Sequence, residues 1–116
     1  ILVCPEQLGG LSTPRDPSEI ITTGKKDGHD VLDGSVKVLS NKGIDVTSNF
    51  IKGAEETLKI AKECNAKKAI LKAGSPSCGY KKIYDGTFCG NKIKGMGVTA
   101  AILNKENIAL LDEDDI

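Results

Sequence analysis

Thiol and soft-metal chemistry is what this sequence first suggests, because four cysteines stand at positions 4, 64, 78 and 89 of its 116 residues. None forms a Cys-x-x-Cys pair, and the single histidine, His29, lacks the second His of a zinc pattern, so spacing alone identifies no metal. The four differ in setting. Cys4 is followed by Pro5 and Cys78 by Gly79, residues that turn the backbone, and each comes after a short apolar run, Ile1-Leu2-Val3 and Ala69-Ile70-Leu71. In open α/β sheets ligands gather outside the carboxyl ends of the strands, where this reading puts both sulfurs. The small residues Ser75-Pro76-Ser77 let backbone amides approach a ligand beside Cys78. On these local features Cys4 and Cys78 are either ligands or small thiols packed in loops, and both readings stay open. Cys64 falls on the apolar stripe of a helix and is expected to be a buried hydrophobe. Cys89, in Thr87-Phe88-Cys89-Gly90, is expected to be structural.

Other polar residues gather around the same two segments. A helix beginning at Val98, after Gly95-Met96-Gly97, offers unpaired N–H groups as an anion site, to which Thr99 adds a hydroxyl. Glu6 and Arg15 flank Cys4 in the chain, although an ordinary surface pair is the commonest fate of such loop charges. His29 reads as a turn residue and Asp85-Gly86 as a plain turn.

The elements that must position these groups follow from the pattern. Ile1 to Pro5 reads as the end of a buried strand entering a loop dense in Gly and Pro, Pro5 to Pro17. Ile20-Ile21-Thr22-Thr23, ended by Gly24, and Asp30-Val31-Leu32-Asp33 suggest a small antiparallel ribbon. Phe50, Ala54, Leu58, Ala61 and Cys64 recur at three- and four-residue steps after the cap signal Asp45-Val46-Thr47, which predicts a helix over 47–64. Ala69-Ile70-Leu71 is a buried parallel strand, and a long glycine-rich loop runs from Ala73 to Gly97. Val98 to Asn104 is a short helix ended by a left-handed Asn107. Ile108 to Leu111 is a last strand, followed by the acidic tail Asp112-Glu113-Asp114-Asp115. This order implies an α/β fold of one domain over 1–116: a Rossmann-like, open, mainly parallel sheet flanked by helices in three α/β/α layers, with a small β-ribbon.

Composition narrows the function. Sixteen basic and sixteen acidic side chains cancel, so no general attraction draws the chain to nucleic acid or an anionic membrane. Two Tyr, two Phe and no Trp make a base-stacking platform unexpected. No apolar run approaches the roughly 20 residues needed to span a bilayer, and no basic-then-apolar leader is present, so a cytoplasmic location is expected. The chain starts at Ile1, in what reads as mid-strand, and an upstream segment carrying the rest of that strand is expected.

Taken in order, several segments resemble one family. They are Cys4-Pro5-Glu6 with Gly9-Gly10-Leu11 and Thr13-Pro14-Arg15; Asp45-Val46-Thr47 before Phe50 and Gly53-Ala54; Leu71-Lys72 before Ser75-Pro76-Ser77-Cys78-Gly79; and Tyr84-Asp85-Gly86-Thr87-Phe88 with Gly97-Val98-Thr99-Ala100. Together they are similar to a bacterial family long catalogued as a domain of unknown function, to which thiouracil desulfidase is related. The resemblance implies a 4Fe–4S enzyme in which three cysteines hold the cluster and one iron stays open to sulfur, a soft ligand suited to it. Its second and third cysteines fall on Cys4 and Cys78. Its first lies in an upstream Cys-Leu-Leu-Gly segment outside this sequence. Two positions depart from the family pattern: Ala73 stands where the resemblance implies Ser, and so does Cys89.

On that resemblance the expected activity is removal of sulfur from a thiolated nucleobase or similar small thiocarbonyl, with release of hydrosulfide. Cys4 and Cys78 are the expected metal ligands, Glu6, Ser75 and Ser77 the expected catalytic groups, and Arg15, Lys72, Gly97 and Thr99 the expected substrate contacts. The small molecule is the expected partner, with no nucleic acid and no membrane. Two other classes compete. One is a non-catalytic nucleotide- or anion-binding module built on the Gly97 helix start and Arg15. The other is a thiol redox protein with Cys78 and Cys89 as a switch.

Overall fold

The computed structural model describes residues 2–23 and 25–115. In chain order the elements are α1 (Pro5–Leu8), β1 (Ser18–Ile20), α2 (Gly28–Leu32), β2 (Val38–Ser40), α3 (Thr47–Glu63), β3 (Lys68–Leu71), β4 (Lys82–Tyr84), β5 (Lys92–Lys94), α4 (Val98–Lys105) and β6 (Ala109–Asp112), followed by a 3₁₀ turn, Glu113–Asp115. The result is a mixed α/β fold. Its strands pair two by two: β1 with β2 and β4 with β5 antiparallel, β3 with β6 parallel.

α3 forms where the apolar period predicts it. Phe50, Gly53, Ala54 and Thr57 line its buried face, and the Asp45 carboxylate accepts from the Thr47 N–H at 2.9 Å just ahead of the first turn. Phe50 packs with Ile20, Val31, Val38, Ile83 and Val98 in one core cluster. A second cluster, built from Leu71, Ala100, Leu103 and Ile108, joins α4 to the parallel pair. β3 and β6 run in register from Lys68 opposite Ala109 to Leu71 opposite Asp112, and α4 lies in the connection between them. Asn107 has φ 61°, as its place after the α4 terminus predicts.

Several expectations are corrected. Leu2 to Cys4 form no strand: Leu2 and Val3 are exposed, and Pro5 starts a helix instead, its fixed φ suiting the first helical position. Ile1 and Gly24 lie outside the described residues. Asp30 to Asp33 is not a strand, because Asp27 and Asp30 make a capping box that commits Gly28–Leu32 to α2; the ribbon partner of β1 is β2. The stretch from Ala73 to Gly97 is not all loop, since Ile83 and Ile93 pair across a β4–β5 hairpin whose flanking lysines hide the alternation. Cys64 is exposed, one step past the end of the buried stripe, at the C-cap of α3. No helix among the described residues is long and apolar enough to cross a membrane.

Candidate active site

Cys4 and Cys78, 74 positions apart in sequence, line one cleft of about 690 Å³. That size accommodates a small molecule. The cleft is closed on its sides by residues 15–19, by the segment after β3, and by Tyr84 and Lys92 of the hairpin.

The Cys4 side is set by a backbone-to-backbone contact. α1 lies directly on α3, and there is no room for a side chain between them: a Cβ on Gly9 would fall 1.9 Å from the Asn49 carbonyl oxygen, and one on Gly53 would fall 1.9 Å from that of Pro5. The Asn49 side-chain amide also donates to the Gly9 carbonyl at 2.8 Å. Cys4 is thereby placed at the N-cap of α1. Arg15 then gathers the surrounding groups. Its Nε donates to Glu6 Oε2 at 2.6 Å, its Nη1 to the Ser12 carbonyl at 3.2 Å and to Thr13 Oγ1 at 2.9 Å, and its Nη2 to Cys4 Sγ at 3.5 Å. The hydrogen bond to Glu6 holds the Arg15 guanidinium above its ordinary pKa, against the opposing effect of burial.

The Cys78 side is a self-satisfied loop. Ser75 Oγ accepts from the N–H groups of Ser77 and Cys78, both at 3.1 Å, and the Gly79 N–H returns to the Ser75 carbonyl at 2.8 Å. The loop also caps α4: the Pro76 carbonyl accepts from the Val98 N–H, and the Ser77 carbonyl from the Thr99 and Ala100 N–H groups. Gly97 is needed for this approach, since a Cβ there would come within 2.5 Å of the Ser77 carbonyl carbon and oxygen. The hydroxyls of Ser77 and Thr99, both buried, meet at 2.7 Å. Burial pushes the Cys78 thiol up to about 11; the Ser77 hydroxyl pulls the other way, and the nearby Glu6 carboxylate adds to the rise.

The cleft therefore brings together Cys4, Glu6, Arg15, Lys72, Ser75 and Cys78. Ser77, Gly97 and Thr99 do not line it. They form the layer beneath, and the α4 amides expected to receive an anion are occupied by Pro76 and Ser77 carbonyls. Cys89 is exposed beyond β4, outside the cleft. Sequence reasoning missed Lys92, whose Nζ stands 5.1 Å from the centre of the Tyr84 ring at the cleft wall. The alternation Lys92-Ile93-Lys94 opposite Lys82-Ile83-Tyr84 is the signal that would have found it.

Two thiols at one cleft are the soft donors an iron–sulfur cluster requires, and the donor chemistry fits on that side. Among the described residues, no group of three or more His, Cys, Asp or Glu comes together to hold a metal ion. The described chain thus brings two soft donors to one cleft.

An α/β domain thus brings two thiols to one cleft, one of them against a guanidinium. The sequence matches the 2-thiouracil desulfurase family over residues 1–115, and the chain belongs to that family. It is 49% identical over 116 residues to "Uncharacterized protein YbbK" of Bacillus subtilis (strain 168), covering all of this chain and 75% of that protein. Its fold is similar to the solved structure of the 4Fe–4S-dependent thiouracil desulfidase TudS, with a TM-score of 0.82 and 38% identity over 97% of this chain. The match spans 66% of the TudS chain.

Proposed function

We propose that this chain is the larger part of a desulfidase that converts a thiolated nucleobase, or a similar small thiocarbonyl, into its oxo counterpart. The balanced change is C=S plus water giving C=O plus hydrosulfide and a proton, with no net oxidation. The observation that supports it is the convergence of Cys4 and Cys78 on one cleft of small-molecule size. In this reading both thiols hold a 4Fe–4S cluster, with a third cysteine supplied upstream of Ile1. When bound, the cluster supplies a soft Lewis acid for the sulfur of the substrate.

The chain's own residues do the rest. Arg15 holds Glu6 by Oε2, and Oε1 has no protein partner among the described residues. In this reading Glu6 Oε1 takes the proton from the attacking water. Ser75 fixes the Cys78 loop through its two amide contacts, and Ser77 with Thr99 and Gly97 supports that loop from below. Lys72 and Lys92 at the cleft wall orient the substrate. Ala73 brings no hydroxyl to the wall, so proton handling falls to Glu6 and water. In the longer protein the β3–β6 pair forms part of a wider, Rossmann-like parallel sheet between helical layers, in one domain working in the cytoplasm.

The test is iron and acid-labile sulfide per chain after anaerobic reconstitution of the full-length protein, followed by hydrosulfide release from thiouracil. About four of each per chain, abolished by Cys4→Ser and by Cys78→Ser, is the expected result. Iron near zero with both cysteines intact overturns it.

A further inference from the structure

We propose that the acidic tail is a clasp that fixes both ends of the Cys78 loop and so positions the Cys78 thiol at the cleft. At the start of the loop the Ala73 N–H donates to Glu113 Oε1 at 3.0 Å. At its far end the Tyr80 hydroxyl donates to the Asp115 carboxylate, and Lys81 Nζ lies 3.0 Å from Asp115 Oδ1 and 3.5 Å from Asp112 Oδ1. The tail is itself anchored. Asp112 is buried in register opposite Leu71, its N–H donates to Asp115 Oδ2 at 3.0 Å, and its Oδ1 accepts from the Asp114 N–H at 2.9 Å.

Three carboxylates thus meet partners on the two flanks of the turn over 74–79, Ala73 on one side and Tyr80 and Lys81 on the other. A solvated acidic run would show no such matching. The clasp complements the internal bonds of the loop: Ser75 sets its shape, while Glu113 and Asp115 set where that shape sits on the end of β3. Glu113 and Asp115 are positioning residues, acting on Cys78 through the backbone. The functional half of this inference rests on reading Cys78 as a cluster ligand; the structural half does not.

The experiment measures, in the full-length protein without metal, the rate at which each cysteine is modified by DTNB, resolved by peptide mass spectrometry. Asp115→Ala, which removes three contacts, is expected to speed Cys78 modification about tenfold, and Glu113→Ala about threefold, through local opening of the loop. Glu113→Gln keeps an oxygen for the Ala73 N–H and is expected to stay at the parental rate. Tyr80→Phe removes only a hydroxyl and serves where Asp115→Ala fails to fold. Cys64 and Cys89 are expected to react unchanged in every variant. A second arm follows iron loss to a chelator from reconstituted protein, expected to accelerate in the same order. Cys78 rates that match the parent in all four variants overturn the clasp. Faster Cys78 modification in a protein that never takes up iron sustains the clasp and overturns the cluster reading instead.

Discussion

The two sides of the cleft are built on different physics. Cys78 sits in a loop whose polar groups are satisfied internally, by the capped end of α4 and by the tail, over a buried Ser77–Thr99 hydroxyl pair. Cys4 sits on a single turn of helix, located by backbone contact through Gly9 and Gly53 and gathered by one arginine that is a quarter exposed. A hydrogen-bonded network resists displacement in every direction. Close packing fixes distance but leaves the polar groups above it adjustable. The Cys78 half is therefore held chiefly by a polar network, and the Cys4 half by backbone packing and one arginine.

Filling the two tight contacts is the strongest way to probe this contrast. Gly97→Ala and Gly53→Ala each force backbone apart, and each is expected to cost about 3 kcal/mol, lowering Tm by roughly 10 °C in thermal melts. Gly97→Ala should disturb Cys78 and Gly53→Ala should disturb Cys4, read by thiol modification of each. Equal disturbance of both sulfurs in both variants would show the halves to be mechanically one. Removing the Ser77 hydroxyl leaves the buried Thr99 hydroxyl without its partner, so Ser77→Ala is expected to cost about 2 kcal/mol in urea unfolding. Removing Arg15 is gentler on stability, about 1 kcal/mol, because its pair with Glu6 is partly solvated. Arg15→Ala should raise modification of Cys4 and leave Cys78 at its parental rate.

The smallest expected effect is on pH dependence. Tyr80, the Asp112 N–H and Lys81 hold the Asp115 carboxyl down at about 2 from the ordinary 3.8. A carboxyl depressed on folding stabilises the fold above its unfolded pKa and loses that contribution as pH falls through the folded value. The urea midpoint should thus decline between pH 4 and pH 2, and Asp115→Asn should flatten part of that decline. Asp33, Asp45 and Asp85 are also held low, by Ser35, Thr47 and Thr87 respectively, and supply the remainder.

What was legible in the sequence was set by local pattern. α3 and the left-handed Asn107 follow from short-range signals strong enough to survive tertiary context. The parallel pairing of β3 with β6 follows from element order, but Ile70, expected to be buried in that strand, is exposed. The convergence of Cys4 and Cys78 was readable from two strand-like runs, although the first of these is no strand between Leu2 and Cys4. The capping box of α2 outweighed the β-like composition of Asp30 to Asp33, a local contest that the apolar residues alone do not decide. Arg15 was visible as a candidate, but its four bonds, made to partners brought near by folding, were not. The tail was unreadable for a plainer reason: acidic residues at the end of a chain look solvated until the strand before them docks beside β3.

The raised pKa of the Cys78 thiol bears on how the chain meets oxidants. With its pKa pushed up to about 11, the sulfur stays protonated at neutral pH. The thiolate is the nucleophile that attacks peroxides and disulfides, so a thiol that burial keeps protonated reacts slowly with either. A soft metal binds the thiolate, so under the proposed function the burial that slows oxidation would also make metal binding release this proton at a cost.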